Sequence, residues 1–227
     1  AARKSGQTYV AVFTDEWYAQ RALVEARLTY LAGQCQERIG ARECQLVQPE
    51  NSVTRMFLRA NHMLGPGRWR LVYGLVKDGV LVSAMTFGAT SAAKGASSCQ
   101  WELDRFAVRA DLCVAGAAQR LFSAFVDAAA PESVVSYADL RWSEGRLYEV
   151  LGFKLSHITQ PNYWYFDKRL LVDQRRRLHR FSFRKSLLPK VLGAGFNPAR
   201  TEHENMRESS YGWVYDCVNL AFIWRPR

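Results

Sequence analysis

The residues with the most chemical content lie close together: Ser136-Tyr137-Ala138-Asp139, then Tyr148 nine residues on, then Gly152-Phe153. Val134 and Val135 are β-branched and lead into this run, so it reads as a buried strand ending in polar residues. Glu144 to Leu151 reads as a short helix, closed by Gly152 at the position just past its end. A strand that delivers an acid, a loop, and a helix that presents a tyrosine form an arrangement able to bind and protonate small groups. Upstream, Glu102 and Asp104 stand two apart on a predicted strand and so share a face, with Arg105 on the other.

The elements that must position these groups follow from periodicity. Thr8 to Phe13 reads as a strand. Asp15 then caps a helix to about Leu31, with Trp17, Val24, Leu28 and Leu31 as its apolar stripe. A strand is expected over Glu43 to Val47 and a helix over Val53 to Asn61. Arg70 to Val76 and Leu81 to Phe87 flank Lys77-Asp78-Gly79, a hairpin turn that tolerates positive φ. Residues 88–99 form a small-residue loop. Trp101 to Val108 is the next strand, followed by a loop over Asp111 to Ala117 and a helix over Ala118 to Ala128. Asn162 to Phe166 and Val214 to Trp224 read as the last strands, with a basic helix between them. The expected class is α+β: a mixed central sheet flanked by helices, with a basic C-terminal extension. The expected divisions are an N-terminal strand-helix segment (1–50), a core (51–167) and the extension packed on it (168–227).

The chain has 227 residues and is 48% hydrophobic, enough for one sizeable core. No apolar run approaches the roughly 20 residues that span a bilayer, and the N-terminus lacks the apolar segment of a signal peptide. Five scattered cysteines, without CxxC, and four histidines give no zinc pattern, so no metal and a reducing cytoplasm are expected. Net charge is +10, and nine of the Lys/Arg residues fall within 168–190 against Asp173 as the one acid there. Arg175, Arg176, Arg177, Arg180, Arg184 and Lys185, with Phe181 and Phe183 among them, suit a polyanion; the bland alternative is a solvated face that aids solubility.

Leu147-Tyr148-Glu149-Val150-Leu151-Gly152-Phe153 resembles the "LYEKLGF" segment of the GNAT N-acetyltransferase superfamily, whose element order also matches. That resemblance implies acetyl-CoA or another acyl-CoA as cofactor. Its pyrophosphate would lie on the loop before the 118–128 helix, where Cys113-Val114-Ala115-Gly116-Ala117-Ala118 parallels the family's Q/R-x-x-G-x-G/A. Gly116 and Ala118 fit, Cys113 departs, and Val108 closes the preceding strand; close helix–sheet packing is the alternative reading of these small residues. Successive main-chain N–H groups at a helix start form an anion cradle. By the same resemblance Tyr148 protonates the departing thiolate, the alternative being a tyrosine that only packs. Arg141 stands where the family usually has Asn.

The Mom DNA-modification proteins of bacteriophages, a divergent branch of that superfamily, carry a similar S-Y-A-D…G-x-x-Y motif over roughly 62–153. His62-Met63-Leu64-Gly65 resembles their H-x-x-G, and Glu102-Leu103-Asp104-Arg105 their E-L-x-R. This makes His62, Arg105, Ser136 and Asp139 site candidates. From about residue 55 onward the chain also resembles phage homing-endonuclease-like proteins, in Asn61-His62, Thr86-Phe87-Gly88, Trp101-Glu102, Leu155-Ser156-His157, Pro161-Asn162-Tyr163, Glu204-Asn205-Met206 and Asp216-Cys217. Phe13 to Trp17 resembles the end of their Vsr-like nuclease part, most of which is expected to be missing from this chain.

The implied function is a transferase moving an acyl-type group from acyl-CoA to a base amine of double-stranded DNA, in a bacterial host cytoplasm. Tyr148, Asp139, Glu102, His62 and Ser136 would be its catalytic residues, with one of Glu102, Asp104 and Asp139 as base. Arg141 and the basic segment would hold the backbone, and the target base would have to be exposed or flipped. His157 and Asn162 are secondary candidates. Trp142, Tyr163, Trp164 and Tyr165 would stack bases or belong to the core. Each acid has an alternative as a Glu–Arg structural partner. Two other functions stay open: a catalytically silent DNA-binding module, and an acetyltransferase acting on a small molecule or peptide.

Overall fold

The computed structural model describes residues 9–35, 37–90 and 99–226. Its centre is a seven-stranded sheet in the order β2 (Gln45–Val47), β3 (Leu71–Lys77), β4 (Val80–Gly88), β5 (Trp101–Val108), β7 (Val134–Asp139), β12 (Asn219–Trp224), β8 (Lys154–Ile158). Neighbours run antiparallel except β5 and β7. Asp78 and Gly79 take positive φ (49° and 78°) to close the β3–β4 hairpin.

The helices divide between the two faces. On one, α3 (Ala117–Ala129) buries Leu121, Phe122 and Phe125 against Met85, Phe87, Leu103 and Phe222, with Phe87 and Phe125 stacked at 3.6 Å. The short α4 (Arg146–Val150) brings Leu147 and Tyr148 to the same cluster. On the other face α2 (Asn51–Asn61) sets Phe57 and Leu58 on Ala84 and Ala107. Of the stripe expected on α1 (Thr14–Leu31), Val24 is fully buried. A smaller sheet, β10 (Leu178–His179), β9 (Tyr163–Asp167) and β11 (Tyr211–Tyr215), carries a second core around Tyr165, Phe183, Leu188 and Met206.

Several expectations change. Residues 9–13 form no strand, and Thr8 lies outside the described residues. The first helix begins at Thr14 behind Phe13, not at an Asp15 cap, because Asp15 is drawn into an ion pair with Arg177. Of the 88–99 loop, residues 91–98 lie outside the described residues. Within the expected 111–117 loop, β6 (Leu112–Ala115) pairs in parallel with β1 (Glu37–Gly40). The basic segment is not a helix. It passes through 3₁₀ turns at Val172–Gln174 and Arg180–Phe183, and the helix α5 spans only Leu188–Leu192. The expected strand 214–224 is two strands split at Val218, which has φ 61°. Within the expected extension, β12 lies inside the central sheet, while β10 and β11 belong to the smaller one.

Candidate active site

The parallel pair at the middle of the sheet is short. β5 and β7 pair only at Trp101↔Val134 and Glu102↔Val135 and then diverge, so Leu103–Val108 and Ser136–Asp139 face each other as unpaired strand edges. Unpaired main-chain groups in an interior need other partners. At the throat two side chains supply them. Ser136 Oγ lies 2.9 Å from the Leu103 carbonyl oxygen and 3.0 Å from the Tyr148 hydroxyl, and that hydroxyl lies 3.2 Å from the Tyr137 carbonyl oxygen. Gly145 makes this approach possible. It caps α4 at φ 86°, and a Cβ there would stand 2.2 Å from the Phe222 ring on which Tyr148 stacks.

Tyr148 reaches the throat from the α3 face; a second set of groups reaches it from the α1/α2 face. A β-bulge makes this possible, since Thr86 pairs with Arg105 and Phe87 with Leu103, leaving Asp104 as the extra residue. One extra residue shifts the alternation, so Arg105 shares a face with Glu102 instead of opposing it, which corrects the simple alternation. Arg105 donates from Nη1 to the Asp104 carboxylate (2.8 Å) and from Nε to the Gly65 carbonyl (3.0 Å). Gly67 leaves room for this carboxylate, because a Cβ there would overlap Asp104 Oδ2. His62 closes α2 and accepts the Leu64 N–H at Nδ1 (3.1 Å), so its neutral ring carries the proton on Nε2. Burial, with the charges of Arg105 and Arg27, pushes the His62 pKa down to about 3. Burial pushes the Tyr148 phenol up, partly offset by the Ser136 hydrogen bond and by Arg105 and Arg27.

The depressed His62 has a measurable consequence. An unfolded His62 takes up a proton below about pH 6.5, whereas the folded one does so only near pH 3. Stability is therefore lost as pH falls through that window. Denaturant titrations at pH 7.5 and 4.5 should show the wild type losing up to about 2.5 kcal/mol more than His62→Gln over that interval. Equal losses in both proteins would show that His62 is not held neutral.

Beside the opening, α3 starts behind Gly116 (φ 78°), with no acid in its first turn. Arg120 N–H is the first to bond back, to the Gly116 carbonyl (3.1 Å), so the preceding amides lack helical partners. Ala115 and Gly116 are exposed, while Val114, Ala117 and Ala118 are buried and Val108 is half-buried. An added Cβ on Gly116 would meet only Ala41, at 3.7 Å.

Solved structures with a loosely similar chain course include acetyltransferases. The ribosomal-protein-S18-alanine N-acetyltransferase from Escherichia coli is 15% identical, covers 51% of this chain and 80% of its own, and has a TM-score of 0.41. A GNAT-family acetyltransferase from Bacillus cereus is 10% identical, covering 81% and 98%, with TM-score 0.41. Arabidopsis thaliana Naa50, in complex with the bisubstrate analogue CoA-Ac-MVNAL, is 12% identical, covering 57% and 90%, with TM-score 0.38. Likenesses this loose assign neither activity nor substrate. No protein-family model and no curated protein matches the chain.

The remaining candidates do not converge on the throat. Asp139 is held by Arg141, whose Nη2 lies 2.6 Å from Oδ2 and whose Nε contacts both carboxylate oxygens. Arg141 was expected on a nucleic-acid surface, but it is 4% exposed and its Nη1 reaches Glu16 Oε2 at 2.6 Å. Burial opposes its charge, yet the bonds to Asp139 and Glu16 hold its pKa above the ordinary guanidinium value. Arg177 is likewise taken up, with Asp15 at 2.7 Å and Glu16 at 3.1 Å, and both guanidinium groups lie against the Phe13 ring. Arg175 lies over Phe166, and Arg180 over Tyr163 and Phe181. Arg176, Arg184 and Lys185 are exposed. Tyr165 and Trp142 are buried core residues. His157 is exposed on the edge strand β8, and Asn162 donates its N–H to Asp216. Among the described residues no group of three or more His, Cys, Asp or Glu could hold a metal, and no helix is long and apolar enough to cross a membrane. Arg27 escaped the sequence reading, since one arginine on a helix carries no signal of what it faces.

Proposed function

We propose that this chain is an acyl-CoA-dependent transferase with a GNAT-type fold whose acceptor is a base amine of DNA. The observation that carries the reading is the divergence of β5 from β7, with Tyr148 and Ser136 at its throat and the α3 amide cradle beside its mouth. The residues present fit the cofactor. The N–H groups around Gly116 and Ala117 suit a diphosphate, and the free edge of β5 out to Val108 offers hydrogen bonds to an extended arm bearing amides. The cofactor would supply an activated acyl thioester. Tyr148 holds a proton at its hydroxyl where the two faces meet, Ser136 orients that hydroxyl, and the packed α3/α4 face keeps water from it. Glu102, 4% exposed and within electrostatic reach of Tyr148, is the carboxylate suited to take a proton from the amine.

The DNA half of the reading rests on charge. With Arg141 and Arg177 internal, Lys168, Arg176, Arg184, Lys185 and Lys190 remain exposed on the smaller sheet and its flanks, a surface that suits a phosphate backbone. Duplex DNA incubated with the protein and radiolabelled acetyl-CoA, then digested to nucleosides for mass spectrometry, should yield one labelled nucleoside. Labelled small amines with unlabelled DNA would replace the acceptor. No transfer, with salt-sensitive duplex binding retained, would leave a silent binding module.

A further inference from the structure

The smaller sheet carries more aromatic side chains than its core takes up. Phe181 and Phe183 lie two apart in one 3₁₀ turn, and they part company. Phe183 is 4% exposed against Tyr165, while Phe181 is 53% exposed. His179 holds the turn by accepting the Phe181 N–H at Nδ1 (3.3 Å), and its ring lies 4.9 Å from that of Phe181. The Arg180 guanidinium stands 5.4 Å from the Phe181 ring and 5.5 Å from the Tyr163 ring, so it bridges the two. Tyr163 in turn lies 5.5 Å from Tyr215, its register partner across β9 and β11, which is 49% exposed. Tyr163 donates its hydroxyl to Glu202 (3.3 Å), which fixes the ring. Among the described residues Arg180 has no acid partner. Phe181, Arg180, Tyr163 and Tyr215 thus form one connected row, with Arg176, Arg184 and Lys185 exposed on the same segment.

Rings and cations side by side suit a ligand with flat faces and negative charge. A duplex hides its base faces in its own stack and offers such a row only phosphates; an unpaired strand offers both. The row also lies close to the cleft. Tyr215 stands four residues before Asn219, which pairs with Asp139 at the end of β7, and four residues span at most about 14 Å. Tyr163 is tied to the same place, since Asp216 donates its N–H to the Asn162 carbonyl (2.8 Å) and Asn162 its own to the Asp216 carboxylate (3.0 Å). β5 and β7 pair only at their starts, so this is the end at which the cleft opens. We propose that the Phe181–Arg180–Tyr163–Tyr215 row is a stacking surface for unpaired nucleotides, which holds a single DNA strand beside the open end of the cleft. Its service to acyl transfer rests on reading that cleft as the transferase site; strand binding does not. A strand held this way presents its base amines without the cost of flipping a base from a duplex.

The test is fluorescence anisotropy of the full chain with a short fluorescein-labelled mixed-sequence DNA strand, alone and annealed to its complement. The unpaired strand should bind more tightly than the duplex at the same salt concentration, by about fivefold or more. Phe181→Ala and Tyr215→Ala should each weaken binding of the unpaired strand by about 5- to 150-fold and leave the duplex within about twofold. Phe181→Tyr, which keeps a ring, should bind as the wild type does. Both rings are about half exposed, so the thermal midpoints of these variants should hold, which separates lost stacking from lost folding. Arg184→Gln should instead weaken strand and duplex alike and make the salt dependence of strand binding shallower by about 0.7 in log–log slope. Equal affinity for strand and duplex, or alanine variants that bind the strand like wild type, overturns the stacking surface. Binding of neither does the same and leaves the row to a protein partner. Strand binding intact in a protein that transfers no acyl group overturns the transferase reading and leaves the surface standing; acylated DNA without a preference for unpaired strand does the reverse.

Discussion

Arg141→Met should destabilise the protein by about 3–5 kcal/mol, the range for breaking a buried ion pair from one side. The arginine is 4% exposed and its partner Glu16 is 8% exposed, so removing the cation strands a carboxylate inside the protein. It also releases Asp139 at the end of β7 and removes one of the two guanidinium groups against Phe13. The remaining cation, Arg177, is shared with Asp15. Equilibrium urea denaturation at pH 7.5 measures the loss. Adding Glu16→Gln and Asp139→Asn should recover part of it, because the penalty lies in the uncompensated charges. A loss below about 1 kcal/mol, the size typical of an exposed pair, would show that this cluster is not sealed from water.

The same cluster explains what could and could not be read from the sequence. β5 and β7 fall at Trp101–Val108 and Val134–Asp139, the bounds expected from apolar spacing and paired valines, because both strands are buried and local pattern decides them. β8 was not legible, since every residue of Lys154–Ile158 is exposed and its pattern carries no burial signal. Nor was the fate of the arginines. Arg177 pairs with Asp15, 162 positions away, and Arg141 with Glu16, 125 away, and no spacing rule reaches that far. A run of arginines therefore read as one surface, although two of the seven nucleic-acid candidates are internal or ion-paired struts. For Asp139 the structural alternative holds, its partner Arg141 standing only two positions on. The bulge at Asp104 hid the true facing of Arg105, because a one-residue insertion into the pairing leaves no mark in composition. Tyr148 and Ser136 were legible because they sit on a short strand–loop–helix unit whose geometry is local.

Tyr148→Phe should lower the acyl-transfer rate by about 10²- to 10⁴-fold, the range for removing a positioned proton donor or acceptor, while costing no more than about 1 kcal/mol of stability. The asymmetry comes from the two ends of the side chain. The ring is held by stacking on Phe222 (5.2 Å) and an edge contact with Phe153 (5.6 Å), and phenylalanine keeps both. The hydroxyl alone touches the throat. When it goes, Ser136 still has the Leu103 carbonyl to donate to, and only the Tyr137 carbonyl loses a partner. Ser136→Ala should act more mildly, because it leaves the proton on Tyr148 and removes only its orienting neighbour. Rates come from release of free thiol during turnover of an acyl-CoA, with denaturant midpoints measured on the same preparations. A variant as stable as wild type and equally fast would make Tyr148 a packing residue and return the throat to structure alone. A variant that is slow only because it has unfolded is ruled out by the midpoint, so the comparison separates chemistry from folding at a single atom.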